Sequence, residues 1–141
     1  MSESVISRDL VQAFRETEYR VLDEQPFTLR VDEASPELLD RYRQFRVNCS
    51  AFITACNPYS VCVDDAENQA RQAELAKELS SRGLTFIDGV GQHPSNNWPG
   101  EISILALGLD LEAAKALGNR YEQNAILWAG ADGVPLLILL R

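Results

Sequence analysis

The sequence has few of the residues on which metal or thiol chemistry depends, with one histidine and three cysteines among 141 residues. Cys49, Cys56 and Cys62 form no CxxC pair, and their odd number argues against a disulfide framework. We therefore expect a reducing, cytoplasmic location. Because one histidine and dispersed cysteines do not provide the fixed spacing of metal ligands, we expect no metal and no cofactor.

Long apolar runs and an excess of positive charge are also lacking. The longest apolar run covers residues 134–140 and is far shorter than the roughly 18 residues that cross a bilayer. No signal peptide is recognisable, so we expect no membrane association. The formal net charge is −8, and because phosphate neutralisation needs a basic surface, we expect no nonspecific binding of nucleic acid. The sequence leaves the oligomeric state open.

The length of the chain fits one domain, and four segments have the apolar spacing of amphipathic helices. They cover residues 4–16, the segment after Ser35-Pro36, a long segment rich in alanine and glutamate that stops near Gly83, and residues 110–123. Serine or aspartate stands where each of the last three would begin, and such side chains cap helix N-termini. The capping residues are Ser35, Asp64 or Asp65, and Asp110.

Strand patterns alternate with these helices. Residues 27–31 alternate apolar and polar side chains, and residues 49–56 form an apolar run that is typical of a central strand. The remaining predicted strands are residues 84–88, 101–109, 124–130 and 134–141, and Asp132-Gly133 joins the last two in a hairpin. We predict a single α+β domain over residues 1–141, in which helices cover a mixed or largely antiparallel sheet that ends in a C-terminal β-hairpin.

The predicted central strand ends in TACNPYS, residues 54–60, where the chain turns abruptly polar. Thr54, Asn57 and Ser60 would present an amide and two hydroxyls at one end of the sheet, where ligands often bind. Pro58 restricts the residue before it, so we expect Asn57 to be extended, with its side chain held in one direction. The structural alternative is an ordinary turn, since asparagine and proline favour turns.

Asn68 and Glu101 are the next polar side chains in unusual places. Asn68 shares the inward stripe of the third predicted helix, where its amide needs a partner. Asn57 is a candidate partner, directly or through a ligand, and the alternative is a bond to the loop at residues 58–63 alone. Glu101 begins an otherwise apolar strand and shares a face with Ser103. It would either form an ion pair with an arginine or serve as an acid or base with a raised pKa.

Residues 89–100 form the longest predicted loop, and a long loop in a compact domain often has a function. Its Gly-Val-Gly start would let backbone amides approach an anion. His93 and Trp98 follow, and Trp98 would cover either a ligand or the core. Gln123 and Asn124 stand between the last helix and the next strand, where they would bind a ligand or only form a cap and a turn.

These short polar segments together resemble a bacterial family catalogued as domain of unknown function 3293. The resemblance is carried by TACNPYS, by Asn68, by the strand start Glu101–Ser103 and by YEQNAILW at residues 121–128. It covers roughly residues 50–130 and leaves residues 1–49 outside. It implies a small bacterial domain and assigns no activity.

The leading hypothesis is a site that binds a polar or nucleotide-like small molecule, while turnover stays open. The candidate ligand-binding residues are Thr54, Asn57, Ser60, Asn68, His93, Trp98, Gln123 and Asn124, and Glu101 is the candidate catalytic acid or base. One alternative is an acidic protein-interaction domain that binds a protein partner through its surface or its terminal hairpin. A weaker alternative is a hydrolase that uses Cys56 or Cys62 with His93, and a Ser60-His93-Asp88 set is no better supported.

Overall fold

A computed structural model describes residues 5–95 and 100–141 of the chain. The helices are α1 Arg8–Glu16, α2 Pro36–Phe45, α3 Asp65–Ser81 and α4 Leu111–Arg120. The strands are β1 Glu18–Val21, β2 Phe27–Leu29, β3 Ser50–Ile53, β4 Thr85–Gln92, β5 Glu101–Leu107, β6 Ala125–Ala129 and β7 Leu136–Leu139. Within these described ranges, none of the helices combines the length and the hydropathy of a membrane span.

The strands form one curled, antiparallel sheet with the shape of a half-barrel, in the order β2-β1-β4-β5-β3-β6-β7. β3 lies inside the sheet and pairs with β5 on one side and β6 on the other. β6 and β7 form the C-terminal hairpin, and Gly133 takes a positive φ of 69° in its turn. The prediction of an α+β domain with a largely antiparallel sheet and a terminal hairpin is therefore confirmed.

Alternation along the strands gives the sheet two apolar faces. Ile104 and Ala106 point to the face covered by α3 and α4, where Leu75 and Leu79 of α3 are fully buried. Phe52, Leu105 and Leu127 point to the opposite face, where they pack with Leu38 and Tyr42 of α2. The second face is called the α1/α2 face below. Each fully buried leucine stabilises the fold by about 1.5–3 kcal/mol relative to an exposed one.

The helix starts follow the predicted caps. The Ser35 hydroxyl accepts the backbone N–H of Leu38 at 3.1 Å. The carboxylates of Asp64 and Asp110 accept N–H groups three residues on, each at 2.8 Å. These side chains satisfy amides that the first turn of a helix leaves without an intrahelical partner.

The structure differs from the prediction at β1 and β4. β1 is absent from the predicted order of elements, and β4 continues through residues 89–92, which the prediction placed in a loop. Gly89 pairs with Val21 of β1 and Ser103 of β5. The prediction of a glycine-rich loop that opens toward an anion is therefore wrong for residues 89–91. These residues have weak strand propensity, but they form a strand because they pair with a strand on each side.

Candidate functional site

A cavity of about 160 Å³ lies between α1 and the α1/α2 face of the sheet. Leu10, Ala13 and Phe14 of α1 line one side of it. Tyr19, Phe52, Leu127 and Leu137 of the sheet line the other. The rings of Tyr19 and Phe52 meet edge to face, with centroids 5.4 Å apart. This part of the cavity is therefore apolar.

The remaining part of the cavity is polar, and most of the predicted residues meet there. The predicted residues that line the cavity are Thr54, Asn57, Ser60, His93, Glu101, Gln123 and Asn124. Asn68 does not line it but contacts Asn57 from behind. Trp98 lies outside the described residues. Side chains that are up to 70 residues apart in sequence thus share one hollow.

Three side chains form a hydrogen-bonded chain that leads from α3 to β5. Asn68 Oδ1 accepts the backbone N–H of Asn57 at 2.9 Å, and Asn68 Nδ2 donates to Asn57 Oδ1 at 2.9 Å. Asn57 Nδ2 then donates to Glu101 Oε2 at 2.8 Å. Asn57 Oδ1 also accepts the backbone N–H of Val63 at 3.2 Å. These donors fix which way the amide of Asn57 faces, and Asn68 binds Asn57 rather than the 58–63 loop alone.

Glu101 is a half-buried carboxylate whose pKa is raised by burial, and the Asn57 hydrogen bond opposes this shift. No lysine or arginine of the described residues forms an ion pair with Glu101. Within the same residues its second oxygen, Oε1, accepts no hydrogen bond. The predicted ion pair with an arginine is thus not formed among the described residues, and the predicted role of Glu101 as an acid or base stays a prediction.

The backbone around Asn57 is left-handed rather than extended. Asn57 has φ 49° and ψ 72°, and Tyr59 and Ser60 have φ 51° and 61°. The expectation of an extended Asn57 is therefore wrong. Asparagine tolerates this region better than most residues, and its amide is bonded on both sides. Such backbone costs on the order of 1–3 kcal/mol per residue and concentrates at functional sites.

Gln123 and Asn124 reach the same polar wall from the segment after α4. Gln123 Nε2 donates to the carbonyl oxygens of Cys56 at 3.0 Å and Tyr121 at 3.1 Å. Asn124 Nδ2 donates to Ser60 Oγ at 2.9 Å, and Asn124 Oδ1 accepts from Arg141 at 3.1 Å. Both residues therefore do more than end a helix, because they tie this segment to residues 56–60.

His93 connects the end of β4 to α1. Its Nε2 lies 2.9 Å from Glu16 Oε1, and its Nδ1 accepts the backbone N–H of Ser95 at 3.1 Å. Since Nδ1 accepts, the ring proton lies on Nε2 and is donated to Glu16. This hydrogen bond is the main cause of the lowered pKa of Glu16. His93 thus connects the end of β4 to α1 beside the cavity through its bond to Glu16.

The cysteines lack the surroundings of a nucleophile. Cys56 is 2% exposed, and burial raises the pKa of its thiol. Its Sγ lies 3.6 Å from the carbonyl oxygen of Ile102. A reactive cysteine needs a lowered pKa, which a positive neighbour or a helix N-terminus supplies. Cys62 is exposed and is absent from the residues that line the cavity.

Two parts of the site were not predicted from the sequence. Arg71 donates from Nε to the Ala55 carbonyl and from an Nη to the Tyr121 carbonyl, both at 2.6 Å. It follows Asn68 by three positions and therefore lies on the same side of α3. The other contribution is the apolar wall from α1, whose amphipathic pattern predicted a helix but not a cavity under it.

The structure thus defines a small α+β domain with a cavity that is apolar at one end and polar at the other. The family model described as Protein of unknown function (DUF3293) matches residues 53–126, more than half of the chain, and the chain belongs to this family. The match includes every described polar residue discussed above from Thr54 to Asn124, whereas α1, Tyr19, Phe52 and Leu137 lie outside it. No curated protein and no solved structure matches the chain.

Proposed function

We propose that this protein binds a small, partly apolar molecule in the cavity between α1 and the sheet, with the polar end of that molecule against Glu101. The observation that carries the proposal is that seven of the predicted polar residues line one cavity, next to the hydrogen-bonded chain of Asn68, Asn57 and Glu101. A concave, mostly apolar pocket with a few convergent polar groups is the usual form of a small-molecule site.

The volume limits the size of the ligand. A cavity of about 150 Å³ lined by apolar side chains holds a benzene molecule, and this cavity has about 160 Å³. A complete nucleotide is larger than this space, since drug-sized ligands occupy pockets of roughly 300–1,000 Å³. A single base-like ring is therefore the part of a nucleotide-like ligand that fits inside, with its face against Phe14, Tyr19 and Phe52.

The polar residues take different roles in this proposal. Glu101 contacts the ligand, because its Oε1 faces no donor from the described residues. Asn57 and Asn68 use their amides on each other and on Glu101, so they position the carboxylate rather than bind the ligand. His93 keeps α1 in place through Glu16. The raised pKa of Glu101 also suits a general acid or base.

A thermal-shift screen of ring-sized metabolites, with and without amino and amide groups, tests the proposal on the purified chain. A compound that binds in the cavity raises the melting temperature of the wild type. The Glu101→Gln variant loses most of this shift, whereas Glu112→Gln on the exposed side of α4 keeps it. Amide NMR shifts with the same compound should change in α1, β4 and β5.

Two results would overturn the proposal. One is a stabilising compound whose shift is the same in Glu101→Gln and in Asn57→Gly as in the wild type. The other is a set of NMR shift changes confined to surfaces away from α1 and β5.

The alternative of a protein-interaction domain is supported by β7. This strand forms one edge of the sheet, and its Leu136 and Leu139 are 43% and 38% exposed. Exposed apolar residues on an unpaired sheet edge favour pairing with another chain. Leu136→Lys would then reduce association measured by light scattering, while the thermal shifts from cavity ligands stay unchanged. A monomeric wild type that captures no partner would count against this alternative.

A further inference from the structure

We propose that the cavity selects ligands that carry hydrogen on nitrogen, such as an amidine, a guanidine or an amino-substituted ring, and that it rejects anions. This inference rests on the proposed function and names its ligand class. It is carried by the charge of the lining residues and by the balance of hydrogen-bond donors and acceptors at the polar end.

Glu101 is the acidic side chain among the described residues that line the cavity, and the imidazole of His93, which also lines it, is hydrogen-bonded to Glu16. Neither lysine nor arginine of the described residues lines it. An anionic ligand would therefore meet a like charge in a partly dehydrated space, where like charges repel more strongly than in water. A cationic or neutral N–H donor meets a complementary charge. A phosphate or carboxylate group inside the cavity is disfavoured by the same reasoning.

Most donor atoms at the polar end have one acceptor within the wall of the cavity. Asn57 Nδ2 donates to Glu101, and Asn124 Nδ2 donates to Ser60 Oγ. The Thr54 hydroxyl donates to the carbonyl oxygen of Ile102 at 2.7 Å. The second N–H of each of these two amides and the Ser60 hydroxyl have no acceptor among the described residues. The charge of Glu101, more than the number of donors, therefore disfavours an oxygen-rich anion.

The acceptors are not all used. Glu101 Oε1 accepts from no described residue, and neither does Gln123 Oε1. The orientation of the Gln123 amide is fixed, because its Nε2 donates to two backbone carbonyls. Both residues line the cavity. Two acceptors without donors in one cavity favour a ligand that has N–H groups over a ligand that has none.

Selectivity follows from what a mismatched ligand leaves unpaired. A site that presents acceptors disfavours a ligand without donors, because the acceptors then lose their hydrogen bonds to water and form none with the ligand. A carboxylate that accepts from a charged N–H forms a shorter and stronger hydrogen bond than one between neutral groups. We therefore expect affinity to fall from cationic to neutral to anionic ligands of the same shape.

Benzamidine, benzamide and benzoate test this order, because they share one ring and differ in the charge and donors of one group. We expect benzamidine to bind most tightly and benzoate most weakly, with dissociation constants that differ by at least about tenfold. Titration by NMR gives the constants and locates the binding. In Glu101→Gln, which keeps an oxygen for Asn57, benzamidine loses its advantage over benzamide. Glu112→Gln serves as the control for a lost surface charge.

The outcomes separate this inference from the proposed function. Benzoate binding in the cavity as tightly as benzamidine overturns the ligand class and leaves the cavity as a binding site. Unchanged benzamidine affinity in Glu101→Gln also overturns the ligand class. Chemical-shift changes with benzamidine that map away from α1 and β5 also contradict the proposed ligand class. If none of the three compounds and no compound of the metabolite screen binds, both proposals fall.

Discussion

Asn57 combines a left-handed backbone with an amide that is hydrogen-bonded at both ends. The two features depend on each other. The left-handed turn brings the amide between Asn68 and Glu101, and the bonds on both sides offset the cost of the turn. The sequence indicates Asn57 as a candidate site residue. It does not reveal the hydrogen-bond partners 11 and 44 positions away that determine the conformation of Asn57.

Two substitutions of Asn57 distinguish the contribution of its backbone conformation to stability from that of its side-chain amide. Asn57→Gly removes the amide and keeps easy access to positive φ, whereas Asn57→Ala removes the amide and also strains the backbone. We expect the alanine variant to be less stable than the glycine variant by about 1 kcal/mol. Urea denaturation of both variants measures the difference, and equal stabilities would show that the turn relaxes without the amide.

The raised pKa of Glu101 predicts how stability depends on pH. The folded protein holds this proton at pH values at which the unfolded chain has released it, so ionisation favours unfolding. The free energy of unfolding of the wild type, relative to Glu101→Gln, should therefore fall as pH rises from the ordinary pKa of 4.5 to the raised folded-state pKa. Urea denaturation of both proteins from about pH 4 to about pH 8 measures this difference. A difference that grows with pH would contradict the raised pKa.

At the scale of elements, sequence patterns within a single segment predicted most of the helices and strands. They failed where hydrogen bonding to a neighbouring strand determined the structure. Ser35, Asp110 and either Asp64 or Asp65 were predicted as caps, and Ser35, Asp110 and Asp64 act as caps, because a cap depends on residues within one turn. β4 was predicted to stop at residue 88, since glycine weakens a strand. It continues to Gln92 because β1 and β5 pair with it on both sides. β1 itself was missed.

Gly89 and Gly91 provide a matched pair within β4. A Cβ at residue 89 would lie 2.7 Å from the carbonyl oxygen of Arg20 and 2.7 Å from the ring of Phe52. A Cβ at residue 91 would lie 3.8 Å from its nearest neighbour. We expect Gly89→Ala to lose about 1–3 kcal/mol of stability through overpacking and Gly91→Ala to stay within about 0.5 kcal/mol of the wild type. Thermal denaturation tests both, and two equal effects would contradict the close contact in the sheet.

At the scale of the whole molecule, the early and late parts of the chain share one sheet and one core. β1 pairs with β4, and Leu38 and Tyr42 of α2 pack with Phe52 and Leu105. The sequence predicted the candidate residues of the site and the fold class of the domain. It could not predict the cavity itself, because the hollow arises from the distance between α1 and the curled sheet rather than from any single segment.

This shared core predicts that the chain unfolds as one unit. The full chain should show one calorimetric transition whose enthalpy equals the van't Hoff enthalpy, as expected for a two-state domain. A fragment of residues 50–141 should lack a cooperative transition, because loss of β1, β2 and α2 uncovers the α1/α2 face. Calorimetry of both chains tests this, and a fragment that melts cooperatively at the temperature of the full chain would show two independent units.

The boundary of the family match divides the cavity by chemistry. Most of the polar lining residues lie within residues 53–126, whereas most of the apolar lining comes from the flanking segments, through α1, Tyr19, Phe52, Leu127 and Leu137. Changes in those flanking segments can therefore widen or narrow the hollow without disturbing the hydrogen bonds. If the proposed function holds, related chains with different flanking segments would accept rings of different size, while Glu101 would keep the same preference for an N–H group.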